Sequence, residues 1–350
     1  GSGKSVTSMA AMRLLPEALR IPHGSVEADG QDLFSLAESR MREVRGRKVA
    51  MIFQNAMTAL NPVKTIGDQI GESVSLHTNA TATQTRERTE SILTRVGLPP
   101  AQFPLRRYPH QLSGGQRQRV MIAMACVQNP AFLIADEPTT ALDVTLQKQI
   151  LDLLRSLVDE SGMGLILISH DLAVVAETTD QIIVMRDGEI VDRGPTGTIL
   201  RQLRHPYTAQ LAEASSHIPT RHLPPVLSEQ EQKKDVAPLI QTELLVRDYP
   251  TARQSLFQAG KPFRAVDQVS LTLYPGQSMG LVGESGCGKS SLARMILALD
   301  KPTSGSIHFD GKPLSRDDSD HLQHARKNMQ VVFQDPYGSF NPRHKVGYIL

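Results

Sequence analysis

Apolar runs at 49–53, 132–135, 165–168 and 182–185 are four or five residues long and carry no polar interruption, the mark of short buried strands. Helical stretches separate them, over 5–15, 116–127, 145–159 and 172–178. Strands alternating with helices predict an α/β domain, a mostly parallel sheet with helices on its faces. Residues 65–108 break the alternation and read as an inserted helical subdomain. A stretch rich in Pro, Gln and charge, about 215–238, reads as a linker. Beyond it, 242–247, 266–274 and 278–282 predict further strands, and 291–299 a helix. Even long apolar runs such as 164–168 fall far short of the ~20 residues that span a bilayer. Work at a membrane would therefore be done from its surface.

The chain repeats itself. Gly1-Ser2-Gly3-Lys4-Ser5 returns as Gly286-Cys287-Gly288-Lys289-Ser290, an offset of 285 residues. Val26–Gly30 returns as Ile307–Gly311, offset 281; Ile52-Phe53-Gln54 and Asn61-Pro62 return as Val332-Phe333-Gln334 and Asn341-Pro342, offset 280. Three motifs in one order at nearly one spacing indicate duplication of a whole domain. The expected organisation is a first domain over 1–204 lacking its opening strands, a tail and linker over 205–240, and the N-terminal part of a second copy over 241–350. The chain opens on Gly1 with no signal segment, and both ends read as lying inside a longer protein.

Composition narrows the function classes. Apolar residues make up 40% and charged residues 21% of 350, a globular profile. With 38 basic against 36 acidic residues the net charge is +2, which supplies no electrostatic reason for a nucleic-acid partner. Trp is absent and aromatics are 4%, so stacking of bases or sugars is poorly supported. The two cysteines, Cys126 and Cys287, are too few for a metal site or a disulfide framework.

The chemistry is concentrated in short motifs. Gly283-Glu284-Ser285-Gly286-Cys287-Gly288-Lys289-Ser290 is a complete G-x-x-x-x-G-K-S loop, lying between a predicted strand and a predicted helix. Its glycines let backbone N–H groups turn inward around phosphate oxygens, with help from the helix N-terminus. Lys289 would neutralise the β- and γ-phosphates of a nucleotide, and the Ser290 hydroxyl would hold Mg²⁺. Lys4 and Ser5 are placed for the same roles in the first copy, with Gly1, Ser2 and Gly3 as their loop. The bland alternative is a Gly-rich turn with a surface lysine. Next, Phe132-Leu-Ile-Ala-Asp136-Glu137 delivers two carboxylates to the C-terminal edge of a strand, where ligands bind in open α/β sheets. Asp136 suits a place behind the direct ligands of Mg²⁺, and Glu137 a general base or orienter for the attacking water, although adjacent acids at a strand end often only cap a helix.

Leu112-Ser113-Gly114-Gly115-Gln116 is the signature by which the chain resembles the ATP-binding cassette (ABC) family. Ser113 and the amides of Gly114 and Gly115, at a helix start, suit a γ-phosphate held by an opposing domain, with ordinary capping as the plain alternative. The resemblance implies further roles. Gln54 and Gln334 would sense Mg²⁺ and the attacking water, Asp143 would lie in a loop crossing a dimer interface, and His170 would contact the γ-phosphate. Tyr249 would stack on adenine, with Phe257 or Phe263 as alternatives. Tyr108–Gln116, Ala135–Asp143 and His205-Pro-Tyr-Thr208 look like the peptide, nickel and opine importer branch, and two cassettes in one chain resemble its tandem glutathione and oligopeptide members. Asn55-Ala56 departs from that pattern, where Asp335-Pro336 keeps it.

The family implies ATP and Mg²⁺, a second cassette in the same chain or a dimer, transmembrane permease subunits, a periplasmic or lipid-anchored solute-binding protein, and a peripheral place on the cytoplasmic face of the membrane. The imported solute would be a peptide, glutathione or a similar small molecule. In such a pair each site joins one phosphate loop to the other domain's signature. Neither composite site is complete within these 350 residues, so weak nucleotide binding with little turnover is expected of them. A soluble tandem cassette acting on ribosomes or DNA is the rival reading; the His205–Thr208 tail opposes the first, and no coiled coil or zinc module supports the second.

Overall fold

The first unit, Gly1–Thr220, begins with helix α1 (Lys4–Ala11), an antiparallel ribbon of β1 (Glu27–Ala28) and β2 (Gln31–Asp32), and helix α2 (Glu38–Val44). Strand β3 (Val49–Ile52) follows, then helices α3 (Ile66–Ser75), α4 (Ala82–Arg95) and α5 (Gly114–Cys126). The chain continues through β4 (Phe132–Asp136), α6 (Val144–Ser161), β5 (Gly164–Ile168), α7 (Leu172–Thr178), the antiparallel pair β6 (Gln181–Arg186) and β7 (Glu189–Pro195), α8 (Thr196–Gln202) and α9 (Pro206–Ser216). The second unit, Arg221–Leu350, contains β8 (Ile240–Tyr249), β9 (Phe263–Leu273), α10 (Lys289–Ile296), β10 (Ser304–Phe309), β11 (Lys312–Pro313) and α11 (Ser319–Asn328). This computed structural model describes residues 2–28, 30–54, 59–140, 142–216, 237–250, 262–284, 286–315, 318–332, 341 and 343–349.

Strands β3, β4 and β5 lie side by side and parallel, with Ile52 opposite Ala135 and Asp136 opposite Ile168. Successive strand residues face opposite sides of a sheet. Ala50, Ile52, Leu133 and Ala135 accordingly join one core with Ile122 of α5 and Leu154 of α6. Val49, Met51 and Ile134 join another with Met12, Leu33 and Met41. Both faces of β3 and β4 being covered explains why they read as unbroken apolar runs, whereas Ile166 of β5 stands exposed. Because all three run the same way, their C-terminal ends meet along one edge, and the residues just beyond β3 and β5 are delivered there together with the end of β4.

The inserted helices are built by local rules. Thr65 caps α3 and Thr81 caps α4 through a capping box with Gln84. Ile66, Ile70 and Val74, four residues apart, are fully buried on one face of α3. Buried Gln69 bonds the Asn61 amide (2.8 Å) and the carbonyls of Asn61 and Lys64 (3.1 Å each), tying the preceding loop to this helix.

The tail forms α9, which packs against the Leu172, Ile182 and Ile199 cluster through Tyr207 and Leu211. The fully buried Thr208 donates to Asp192 Oδ2 at 3.0 Å, and the Arg186 guanidinium lies 5.0 Å from the Tyr207 ring centre. In the second unit the sheet is antiparallel, ordered β11-β10-β8-β9. The strand expected over 278–282 is not formed, and Met279, Leu281 and Val282 stand exposed. An apolar segment of that kind becomes a strand only when neighbours take its backbone hydrogen bonds. Among the described residues it pairs with no strand.

Candidate nucleotide site

In the first unit the site grows from the C-terminal edge of β3–β4–β5. Asp136 ends β4, is 4% exposed, and accepts a hydrogen bond from Ser5 Oγ at 2.9 Å. Ser5 stands in the first turn of α1, whose N-cap Gly3 has a left-handed φ of 86° and no side-chain cap. The opening amides of that helix are thus left to bind an anion. Lys4 Nζ donates to Ser2 Oγ at 2.9 Å.

Glu137 follows Asp136, its amide bonded to the Ile168 carbonyl (3.0 Å) and its φ at 47°. Oε2 of its carboxylate accepts from Gln54 Nε2 and from Thr140 Oγ1, each at 2.9 Å. His170 Nδ1 approaches Oε1 at 3.4 Å from a ring that is 71% exposed. Gln54 lies just past β3 and His170 just past β5, so the parallel register gathers three remote motifs at one carboxylate.

The two adjacent acids are pushed in opposite directions. Burial raises the Asp136 carboxyl above its ordinary value and the neighbouring Glu137 charge adds to that; the Ser5 hydrogen bond and Lys4 oppose without prevailing. Burial also pushes Glu137 upward, but hydrogen bonds from Thr140, Gln54 and His170 outweigh it and lower its pKa. A carboxylate kept ionised by these donors can orient water and take its proton. The linked Ser5 hydroxyl and Asp136 carboxylate are hard oxygen donors that fit Mg²⁺, which takes few protein ligands and completes its shell with phosphate and water. Among the described residues, no group of three His, Cys, Asp or Glu could hold a metal ion.

The second unit builds the same loop geometry. Gly288 caps α10 with a left-handed φ of 98°, again with no side-chain cap. A Cβ there would sit 2.1 Å from the Ala265 carbonyl oxygen, so the position requires glycine. Lys289 Nζ curls back over the loop, donating to the carbonyls of Gly283 (2.6 Å) and Glu284 (2.7 Å) and lying 3.5 Å from Cys287 Sγ. Ser290 is exposed. Gly1, Ser285, Gln334 and Phe257 lie outside the described residues.

Other expected residues have plainer partners. Ser113 caps α5: its Oγ accepts from the Gln116 amide (3.3 Å), while Gln116 Oε1 accepts from the Ser113 amide (3.0 Å). The Ser113 hydroxyl proton remains a donor, so capping and anion contact are compatible. Gly114 is exposed, whereas a Cβ on the buried Gly115 would press on Leu146 at 3.2 Å. Asp143 caps α6 through the Leu146 amide (3.0 Å). Tyr249 is tied down, its hydroxyl 3.3 Å from both Ser291 Oγ and Asp300 Oδ2 and one ring face under the Arg247 guanidinium (4.6 Å). Its neighbour across the sheet, Phe263, is exposed. The sequence reading missed Thr140. A hydroxyl three residues past an acid, across a proline, was the available signal.

A phosphate loop, an acidic strand end and a helix-capping Ser-Gly-Gly-Gln on this α/β frame define a P-loop ATPase of the ATP-binding cassette class. The chain belongs to the ABC transporter family, which it matches over residues 1–140 and 266–347. It is 43% identical, over 376 aligned positions, to the glutathione import ATP-binding protein GsiA of Escherichia coli O157:H7, and equally to those of E. coli strain K12 and Shigella sonnei strain Ss046. These alignments cover 99% of this chain and 59% of each relative, so the chain spans about 59% of the length of the curated relatives it matches. Among solved structures it is similar to a dimeric post-hydrolysis state of the ATP-binding cassette MJ0796 bound to ADP and Pi, with a TM-score of 0.49, 28% identity, and coverage of 56% of this chain and 81% of that one.

Proposed function

We propose that this chain binds and hydrolyses ATP as part of a tandem-cassette protein that energises import of glutathione, a peptide or a similar small solute. The observation that carries the reading is the Glu137 carboxylate, held by Gln54, Thr140 and His170 beside the Ser5–Asp136 link. Residues 241–350 are then the beginning of a second cassette after a first one over 1–204 with its tail. The matching left-handed glycine caps at Gly3 and Gly288 support that repeat. The 43% identity to glutathione import ATP-binding proteins supports the solute class.

In this mechanism the α1 amides and Lys4 bind the nucleotide phosphates, as the loop at Gly283–Ser290 does in the second copy. Ser5 and Asp136 with Gln54, or Ser290 with Gln334, would hold Mg²⁺, which would supply charge neutralisation at the phosphates. Glu137 orients a water in line with the γ-phosphorus and takes its proton as the new O–P bond forms. The bond to the β-phosphate bridging oxygen breaks, and ADP leaves with inorganic phosphate. His170 reaches toward the transferred group, and the Ser113–Gln116 helix start of an opposing cassette closes over it. Gln54, standing between Glu137 and the surface, couples the site to permease subunits at the cytoplasmic face of the membrane, and an external solute-binding protein supplies the solute.

Glu137→Gln tests this reading in the natural protein. Turnover should fall by about 10²–10⁴, the usual worth of a positioned base, while ATP affinity stays near the wild-type value. A Glu137→Gln protein that hydrolyses ATP at the wild-type rate would sink it.

A further inference from the structure

Glu137 is gripped twice by one neighbour. Its carbonyl accepts from the Thr140 amide (3.1 Å), closing a turn across the buried Pro138 and Thr139, and its Oε2 accepts from the Thr140 hydroxyl (2.9 Å). That turn carries Glu137 at φ 47°, a left-handed conformation that strains a residue with a Cβ and persists only where its surroundings hold it. Gln54 and His170 reach the same carboxylate from the ends of separate strands, Gln54 from an exposed position and His170 from a largely exposed ring. Thr140 alone among the three donors shares a turn with the acid. Both neutral hydroxyl and amide donors meet on Oε2, which leaves Oε1 turned toward the His170 side.

We propose that Thr140 is a positioning residue for ATP hydrolysis: its hydroxyl pins Oε2 of Glu137 so that Oε1 is the oxygen presented to the attacking water. This rests on the reading of Glu137 as the group that orients that water. Displacing a reacting group by about 1 Å can cost on the order of 10²-fold in rate, so a lost pin is expected to lower kcat by about tenfold to a hundredfold.

Thr140→Val keeps the shape of the side chain and removes the donor, and Thr140→Ser keeps the donor. In the natural protein, Thr140→Val should lower kcat by that factor with the KM for ATP and the affinity for a fluorescent ATP analogue unchanged, and Thr140→Ser should restore most of the rate. The infrared difference between wild type and Glu137→Gln isolates the Glu137 carboxylate band, and Thr140→Val should shift that band while Thr140→Ser leaves it in place. A wild-type kcat in Thr140→Val, an unmoved band, or an equal defect in Thr140→Ser overturns the assignment. Abolished turnover in Glu137→Gln beside normal turnover in Thr140→Val removes Thr140 alone. Normal turnover in Glu137→Gln removes the underlying reading with it.

Discussion

At the scale of residues, environment separates side chains that composition treats alike. Cys126 is 2% exposed at the end of α5, and burial pushes its thiol from an ordinary 9.0 up to about 12. Cys287 is exposed in the phosphate loop. A maleimide should therefore label Cys287 in the native protein and reach Cys126 only on unfolding, and ATP should protect Cys287; labelling of native Cys126 would contradict the packing. The same shift sets a pH dependence. From pH 9.0 toward about 12 the unfolded chain gives up the Cys126 proton while the folded chain keeps it, so stability falls as pH rises through that window. Denaturant midpoints measured across it should decline less steeply in Cys126→Ala. Asp136 and Glu137 make the same point, being neighbours whose pKa values move apart because one is buried against its partners and the other is crowded by donors. The pair was legible in sequence. The direction of each shift was not, because Gln54, Thr140 and His170 converge only after folding.

At the scale of elements, local signals located most helices and strands and left their partners open. The helix predicted over 172–178 matches α7, and those over 116–127 and 145–159 match α5 and α6 to within two residues at each end. The strand expected at 278–282 fails because a strand is a pairing as well as a pattern, and pairing is decided elsewhere in the chain. The His205–Thr208 tail was legible as a family mark with no stated physical role. In the structure, Thr208 is fully buried in the first turn of α9 with its hydroxyl on Asp192. Thr208→Val leaves that acceptor without its donor, at a cost of about 1–3 kcal/mol. For a unit of this size the midpoint of thermal unfolding should drop by roughly 2–4 °C per kcal/mol, with less loss in Thr208→Ser. An unchanged midpoint in Thr208→Val would show that the tail does not brace the first unit.

At the scale of the whole molecule, each of the two units starts a helix on a left-handed glycine without a side-chain cap, Gly3 in the first and Gly288 in the second. No helix among the described residues is long and apolar enough to cross a membrane, and the proposed import function assigns that crossing to separate permease subunits. Affinity purification from detergent-solubilised membranes should retrieve hydrophobic permease subunits, and loss of the gene should reduce uptake of labelled glutathione or dipeptide. Glu137→Gln should fail to restore that uptake. Recovery of ribosomes or DNA in place of permeases, with uptake intact, would move the protein to another branch of its family.

The sequence by itself determined the class of chemistry, because phosphate binding depends on backbone geometry that only particular spacings of Gly, Lys and Ser permit. It also carries the motifs that repeat near 280 residues apart, on which the proposed two-copy plan rests. Only the tertiary structure decided which groups meet. Parallel register carries Gln54, Glu137 and His170 to one edge from positions 33 to 116 residues apart in the chain, and a turn through Pro138 brings Thr140 back onto Glu137. Hydrogen bonds act over about 3 Å, and sequence distance does not report that separation.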